Sequence, residues 1–369
     1  MDSLSQRALG SAVGVAVMGR RVPVWKAAMW GGIAGTLPDL DAFIDHGDPL
    51  RNMTFHRAES HSLFYLTLFA PALALLVAKL QGELELFRRW WLALWLVLIT
   101  HPVLEWMTIY GTQLWLPFTD TPFGLGSVFI IDPLYTVPLL IGLGGALNLR
   151  DMLGLRWNSI GLACSCLYLG WAAAAQWRVE QVADRALAVA GIPYQQLLAT
   201  PTAFNTILWR VVAMTADGYV EGSYSLADPS PRMRFDRYSS NDSLRHALAG
   251  NRNVERLAWF TRGYYRLEQR GDGAVMTDLR MRQEPDYPFA FLVAEHGSDW
   301  RVVRPESVGG RSTIPPPAAS ASTRASSHTT APKSDDTGQA QREQAQGSRL
   351  RHAIGWWRSH LFRQSCVPH

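Results

Sequence analysis

Leu63–Leu80 reads LFYLTLFAPALALLVAKL, an apolar run with a single charge at Lys79. A helix that crosses hydrocarbon needs ~20 mostly apolar residues, and this run reaches that length within a couple of positions. Trp91–Tyr110, Val128–Leu147 and Asn158–Trp177 do the same. Leu4–Met18 and Val24–Leu37 are shorter, rich in Gly and Ala, and joined across Gly19-Arg20-Arg21. Small residues let helices approach closely, so these two predict a tight hairpin that either spans or re-enters. Trp25, Trp90, Trp91, Trp106, Trp157 and Trp177 flank the segments as an interfacial belt would. The expected fold is a mainly α membrane protein: a helical transmembrane bundle of four long plus two short segments, followed by a small soluble antiparallel β (α+β) domain.

Outward from that bundle the composition changes. Residues 1–177 form the transmembrane domain of this reading, and residues 178–306 read as soluble sequence. Val179–Ala190 predicts a helix. Ile207–Met214 and Tyr219–Leu226 flank Thr215-Ala216-Asp217-Gly218, and Leu257–Gln269 and Ala274–Arg282 flank Arg270-Gly271-Asp272-Gly273. Both patterns are hairpin signals, and Phe289–Ala294 adds a further expected strand. Residues 307–347, rich in Pro, Ala, Ser, Thr and Gln, predict a disordered linker. In 348–369, arginines interleave with Leu350, Ile354, Trp357 and Leu361 at helical spacing, compatible with a basic surface helix or a floppy tail. Three cysteines supply no disulfide framework. With Asp2 and one Arg7 before Val17 there is no basic n-region, so a cleaved signal peptide is not expected.

Counting six crossings, one side of the membrane collects Arg20, Arg21, Lys26, Lys79, Arg88, Arg89, Arg150 and Arg156. The other has Arg51 and Arg57, and no Lys or Arg between Gly111 and Ser127. The positive-inside rule assigns the first side to the cytoplasm. The loop after Leu37, the Asp120 loop and everything beyond Trp177 then lie on the non-cytoplasmic side. If the short hairpin re-enters, the later crossings keep their relative sides.

That side is where the unusual residues collect. Asp39 and Asp41 follow the second segment, and His56 and His61 precede the third. His101 and Glu105 lie in the second half of the fourth, and Asp132 opens the fifth. Ionisable groups at membrane depth are costly and generally face a functional cavity. His101 and Glu105, four apart, share a helix face. Asp39 and Asp41, two apart, point the same way in extended chain, and Ser60 stands where it can cap the third segment. Imidazoles with carboxylates suit one or two ions of Zn, Mn or Fe rather than an all-oxygen calcium cage. The candidate ligands are Asp39, Asp41, His56, His61, His101 and Glu105. Glu59 or Asp132 is a candidate general base or supporting group, and Arg57 a candidate anion clamp. Each residue also has a plainer reading: a turn Asp, a solvated loop His, a buried His101–Glu105 pair joining helices, a helix cap at Asp132.

Met1-Asp2-Ser3-Leu4-Ser5-Gln6…Leu9-Gly10, Gly35-Thr36-Leu37-Pro38-Asp39-Leu40-Asp41, His56-Arg57…Ser60-His61-Ser62 and His101-Pro102…Glu105 resemble a family of inner-membrane metal-dependent hydrolases, also described as LexA-binding and inner membrane-associated. Tyr110-Gly111-Thr112-Gln113…Pro117-Phe118-Thr119-Asp120 and Ile130-Ile131-Asp132-Pro133-Leu134-Tyr135 are similar to a branch of it. The resemblance covers Met1–Leu147, and Asn205–Leu226 more loosely. It implies a bacterial, membrane-bound, metal-dependent protein, whose hydrolase role rests on classification. Two departures stand out: Ser5-Gln6 replaces a Thr-His pair common in the family, and Glu105 replaces a shorter Asp.

The function expected is a multi-pass bacterial inner-membrane hydrolase using a divalent metal, Zn or Mn. Its partners are membrane lipid and an amphiphilic small molecule such as a phosphoester. The alternatives are a non-catalytic membrane protein whose polar cluster is structural and whose β domain binds a partner, and an ion-coupled transporter, against which the off-centre cluster argues. Dispersed basic residues without a base-reading motif speak against nucleic acid. Neither a Gly-rich phosphate loop nor a Gly-x-Ser-x-Gly elbow is present.

Overall fold

A computed structural model describes residues 1–228, 232–281 and 286–311; the linker and tail expectations lie outside them. The N-terminal region is helical: α1 (Ser3–Met18), α2 (Val24–Ala34), α3 (Pro49–Phe55), α4 (Leu63–Gln81), α5 (Phe87–Trp106), α6 (Pro133–Leu149) and α7 (Met152–Val189). The boundaries follow capping chemistry, because the first amides of a helix need outside acceptors. Asp2 accepts from Leu4 and Ser5 at the start of α1. Asp132 accepts from Leu134 at the start of α6, with Pro133 in the first turn. The cap of α4 is Ser62 rather than Ser60, since Ser60 is engaged elsewhere.

α1 and α2 form the expected hairpin. A Cβ on Gly10 or Gly31 would overlap the other residue's carbonyl oxygen, so only glycine permits this approach. Their inner faces join α4 and α5 in one apolar core containing Met18, Ala27, Ala74, Trp90 and Leu98. Two helices, α4 and α7, are long and apolar enough to cross a membrane. α6 is apolar but has 17 residues, while α5 carries Arg88, Arg89, His101 and Glu105. A count of four long crossings therefore goes beyond what helix length and composition establish. Asn158–Trp177 and Val179–Ala190, read separately from the sequence, belong to one helix. α7 runs unbroken for 38 residues, roughly 57 Å at 1.5 Å per residue, because nothing between Trp177 and Ala188 is a Gly or Pro.

Beyond α7 stand two four-stranded antiparallel sheets. The first has the order β1-β2-β3-β4 (Gln196–Pro201, Leu208–Thr215, Gly218–Ser225, Phe235–Ser239). Two short helices follow, α8 (Asp242–Ala247) and α9 (Arg252–Thr261). The second sheet has β5 (Tyr265–Arg270), β6 (Gly273–Asp278), β8 (Ala290–His296) and β9 (Trp300–Ser307) in the order β5-β6-β8-β9. β7 (Asp286–Tyr287) and β10 (Gly310–Arg311) make a short separate ladder. Both expected hairpins form, with Thr215 facing Gly218 and Arg270 facing Gly273. The expected strand from Leu257 is instead a helix up to Thr261. Asn251 caps α9, Arg262 at φ 54° ends it, and its buried Val254, Leu257 and Phe260 recur at helical spacing.

This second region is bound to the site-bearing end of the first. Leu50, Met53 and Tyr110 belong to the same apolar cluster as Leu257, Phe260, Met276 and Phe291. Arg256 donates to Thr54 Oγ1 and Arg304 to the Gly47 carbonyl. The segment leading into His56 is thereby held from outside the helical bundle.

Candidate metal centre

Pro38–Phe43 is a 3-10 turn, not extended chain, with Pro38 at its first position, where a missing N–H costs nothing. Successive 3-10 residues point in different directions, so Asp39 and Asp41 diverge and approach opposite ends of one imidazole. Asp39 Oδ1 is 3.8 Å from His61 Nε2, while Asp41 Oδ2 is 3.4 Å from His61 Nδ1. His61 itself ends a one-turn 3-10 helix, Glu59–His61, just before α4.

Asp39, His61, His101 and Glu105 converge, with one ligand atom from each lying within 4.8 Å of all the others. His61 Nε2 is 3.2 Å from His101 Nε2 and 2.9 Å from Glu105 Oε2. His101 Nε2 is 3.5 Å from Asp39 Oδ1 and 3.8 Å from Glu105 Oε2. The side chains of His61 and Glu105 are fully buried, and His101 nearly so; Asp39 retains 21% exposure.

The hydrogen bonds behind the imidazoles fix which atoms face the centre. His101 Nδ1 is 2.7 Å from the Gly35 carbonyl, which can only accept, so Nδ1 carries the proton and Nε2 offers a lone pair. His61 Nδ1 is 2.9 Å from Ser60 Oγ, which donates onward to Asp41, so Nδ1 carries a proton and Nε2 is the atom that faces the centre. Glu105 Oε1 is occupied by Arg57 Nη2 at 2.9 Å and the Met1 amino group at 2.7 Å. Glu105 Oε2 and Asp39 Oδ2 are buried without a hydrogen-bond partner. Buried acceptors are normally satisfied, so a cation that displaced the His61 proton would find Glu105 Oε2 and the two facing Nε2 atoms ready to receive it. Burial pulls the His61 pKa down, yet Glu105, Asp39 and Asp41 together outweigh it and hold it up at about 10. Asp39 is raised by burial but held well below the usual carboxylate range by His101 and His61. Asp41 is held low in the same way by His56 and His61.

The donor set fits such an ion. At metal–ligand distances of about 2.0–2.1 Å, two ligands of a tetrahedral ion stand roughly 3.3 Å apart. Five of the six separations, from 2.9 to 3.8 Å, surround that value, and all lie within 4.8 Å. Two imidazole nitrogens with two carboxylate oxygens suit Zn or Mn.

The remaining candidates stand one step out. Asp41 accepts from His56 Nδ1 at 2.7 Å and from the Arg57 amide at 3.0 Å. Asp41 and His56 therefore brace His61 rather than meet the other four donors. Arg57, at φ 67°, is buried between Glu105 and the Tyr110 ring, 4.6 Å from its centroid. Glu59 is exposed beside the turn. Asp132 caps α6 and accepts from Tyr168 at 2.7 Å, so the structure places it on α6 and α7 instead of in the cluster. Sequence reading missed Gly35 and Ser60, whose parts depend on contacts between distant segments, and Tyr110. Gln6 lies against the cluster: its Nε2 donates to the His101 carbonyl at 3.2 Å, while its buried Oε1 lacks a partner.

The N-terminal region thus combines two helices long and apolar enough to cross a membrane with a buried acid-histidine cluster that could hold a metal ion. The model of the YdjM inner membrane protein family matches residues 1–179, so this region of the chain is similar to that family, one classed with inner membrane-associated hydrolases. No curated protein and no solved structure matches the chain.

Proposed function

We propose that the protein is a metal-dependent hydrolase working at the bilayer boundary, with Asp39, His61, His101 and Glu105 holding one Zn or Mn ion. The observation that carries this reading is the convergence of one ligand atom each from Asp39, His61, His101 and Glu105, all within 4.8 Å of one another, with Glu105 Oε2 buried and without a hydrogen-bond partner. A bound divalent metal supplies an acidified water and polarises a phosphoryl or acyl oxygen. The chain's own residues do the rest. Gly35 and the Ser60–Asp41 pair fix the tautomers of both imidazoles. Arg57 and the Met1 amine neutralise Glu105 Oε1 and leave Oε2 for coordination. Asp39, the member open to solvent, stands where water and substrate enter.

Four protein donors also make a closed set of the kind seen in structural zinc sites, and that is the second reading. Metal analysis of purified protein with hydrolysis of phosphate and carboxylic esters separates the two. Stoichiometric metal together with hydrolysis, both lost in His101→Ala, supports catalysis. Stoichiometric metal without hydrolysis on either ester class selects the structural site, and metal-free folded protein removes both readings. The proposed topology is a multi-pass inner-membrane one, with four long crossings and the site and residues 178–306 on the non-cytoplasmic side. Reporter fusions after Leu149 and Ser307 test it, expected to report cytoplasmic and non-cytoplasmic positions respectively.

A further inference from the structure

The open side of the cluster is apolar. Asp39 is the donor that reaches solvent, and its 3-10 turn also presents Leu40 at 53% and Phe43 at 86% exposure. Beside it the 114–118 loop sits on the first turn of α4: Leu63 N donates to the Leu114 carbonyl at 3.0 Å and Ser62 Oγ to the Leu116 carbonyl at 2.6 Å. That loop exposes Trp115 and Phe118, and Phe118 packs edge-on against Phe64 with ring centroids 5.5 Å apart. The two parts of this rim are joined through the Arg57 carbonyl, which accepts from Gln113, and the Arg57 amide, which donates to Asp41. From Phe64 the apolar surface continues without a break along the exposed face of α4 through Leu68, Leu76 and Leu80, the face a spanning helix turns to lipid.

Large exposed apolar patches mark partner or membrane surfaces, and aromatic side chains favour the bilayer interface. We infer that the rim around Asp39, built from Leu40, Phe43, Trp115, Phe118 and Phe64, lies in the lipid interface, so that the site receives its substrate from the bilayer with the substrate's apolar chain against these side chains. This rests on the proposed metal-dependent hydrolase and narrows its substrate class to membrane-resident amphiphiles. Continuity with the lipid-facing side of α4 argues for the bilayer as occupant over a protein partner.

The test uses the full chain with Cys164, Cys166 and Cys366 changed to Ser, reconstituted in phosphatidylcholine–phosphatidylglycerol vesicles. Nitroxide labels are placed through Phe43→Cys, Phe118→Cys or, as an aqueous reference, Glu295→Cys. The labels at 43 and 118 are expected to be relaxed several-fold more by oxygen than by a water-soluble nickel chelate, with the order reversed at 295. Labels at 43 and 118 that behave like the one at 295 overturn the proposal, as does their shielding from both relaxants, which would mean that protein covers the rim. A kinetic arm compares Phe43→Ser/Phe118→Ser with the parent on a long-chain p-nitrophenyl phosphodiester in vesicles and on soluble bis(p-nitrophenyl) phosphate. The expected loss is confined to the vesicle substrate; equal loss on both counts against delivery from the bilayer. Metal content of the same preparations reports on the centre separately. Metal-free protein with lipid-immersed labels would fail the hydrolase reading and leave only the rim's place in the interface standing, whereas metal-loaded protein with water-exposed labels would fail this inference alone.

Discussion

The two regions of the molecule each bury a cluster of charges, and they do it differently. Among the strands, Asp278 takes Arg280 through two bonds of 3.0 and 2.8 Å. Glu221 takes Arg210 through two of 2.8 and 3.0 Å, and Arg210 also donates to the Leu279 carbonyl and the Tyr287 hydroxyl. These are planar bidentate pairs with their hydrogen bonding filled. At the bundle end, both fixed cations, Arg57 and the Met1 amine, serve one oxygen of Glu105. Asp39 faces only imidazoles, and two carboxylate oxygens stay unpartnered. A saturated buried cluster ties elements together, whereas an under-neutralised one is poised to take a cation.

The largest expected effect strikes at that contrast. His61→Ala and His101→Ala should each abolish stoichiometric metal binding, read by elemental analysis, while changes among the strands leave it untouched. Retained metal in both variants would place the ion elsewhere. The mirror experiment is Asp278→Ala, which strands buried Arg280. Loss of one partner of a buried pair costs about 3–5 kcal/mol, so denaturant unfolding should show a loss of that order with metal content unchanged. Asp39→Asn should lose metal and, because His101 and His61 hold the Asp39 carboxylate ionised in the metal-free fold, should also lower metal-free stability near neutral pH.

Asp41→Asn tests bracing as opposed to ligation. Residues that orient metal ligands typically contribute roughly 10–100-fold in affinity, so metal should bind more weakly by that factor in a chelator competition without being lost. Complete loss would make Asp41 a ligand itself.

pH distinguishes the clusters more gently. In chelated protein the His61 pKa is raised to about 10, so its stabilising charge is fully present below the unfolded value near ~6.5 and is lost as pH rises through its folded value. Asp39 and Asp41 are depressed, so their contribution is present above the unfolded value near ~3.9 and lost as pH falls. Metal-free stability should therefore be greatest between these unfolded values and decline on either side. Metal must displace the His61 proton, so its affinity should climb with pH across the upper range. A metal affinity flat from neutral to alkaline pH would remove His61 from the ligand set. The smallest effect is expected at Phe43→Ser, on an exposed side chain, within about 0.5 kcal/mol of parent stability.

Much of the bundle was legible because apolar runs and small-residue hairpins encode helices locally. Leu63–Leu80 and the segment from Leu4 to Met18 match α4 and α1 almost residue for residue. Where the sequence reading departed, competing local signals or distant partners decided. Pro38 with two aspartates reads as extended chain until its oxygens find imidazoles, and then a 3-10 turn is favoured. Leu257–Thr261 carries apolar residues acceptable to strand or helix, and Asn251 settles it as α9. Six candidate ligands were placed at one end of the bundle from topology alone. Their separation into four converging donors and a bracing Asp41–His56 pair depends on side-chain direction, which spacing does not specify.

By itself the sequence determined a helical, apolar N-terminal region with acids and imidazoles gathered at one end, because burial of apolar runs and the cost of charge in lipid are properties of composition and order. Only the tertiary structure decided which oxygens and nitrogens face each other, which Asp stands open to solvent, and that the strands clasp the segment before His56. Those depend on contacts between residues far apart in the chain, where a few tenths of a nanometre separate a ligand from its support.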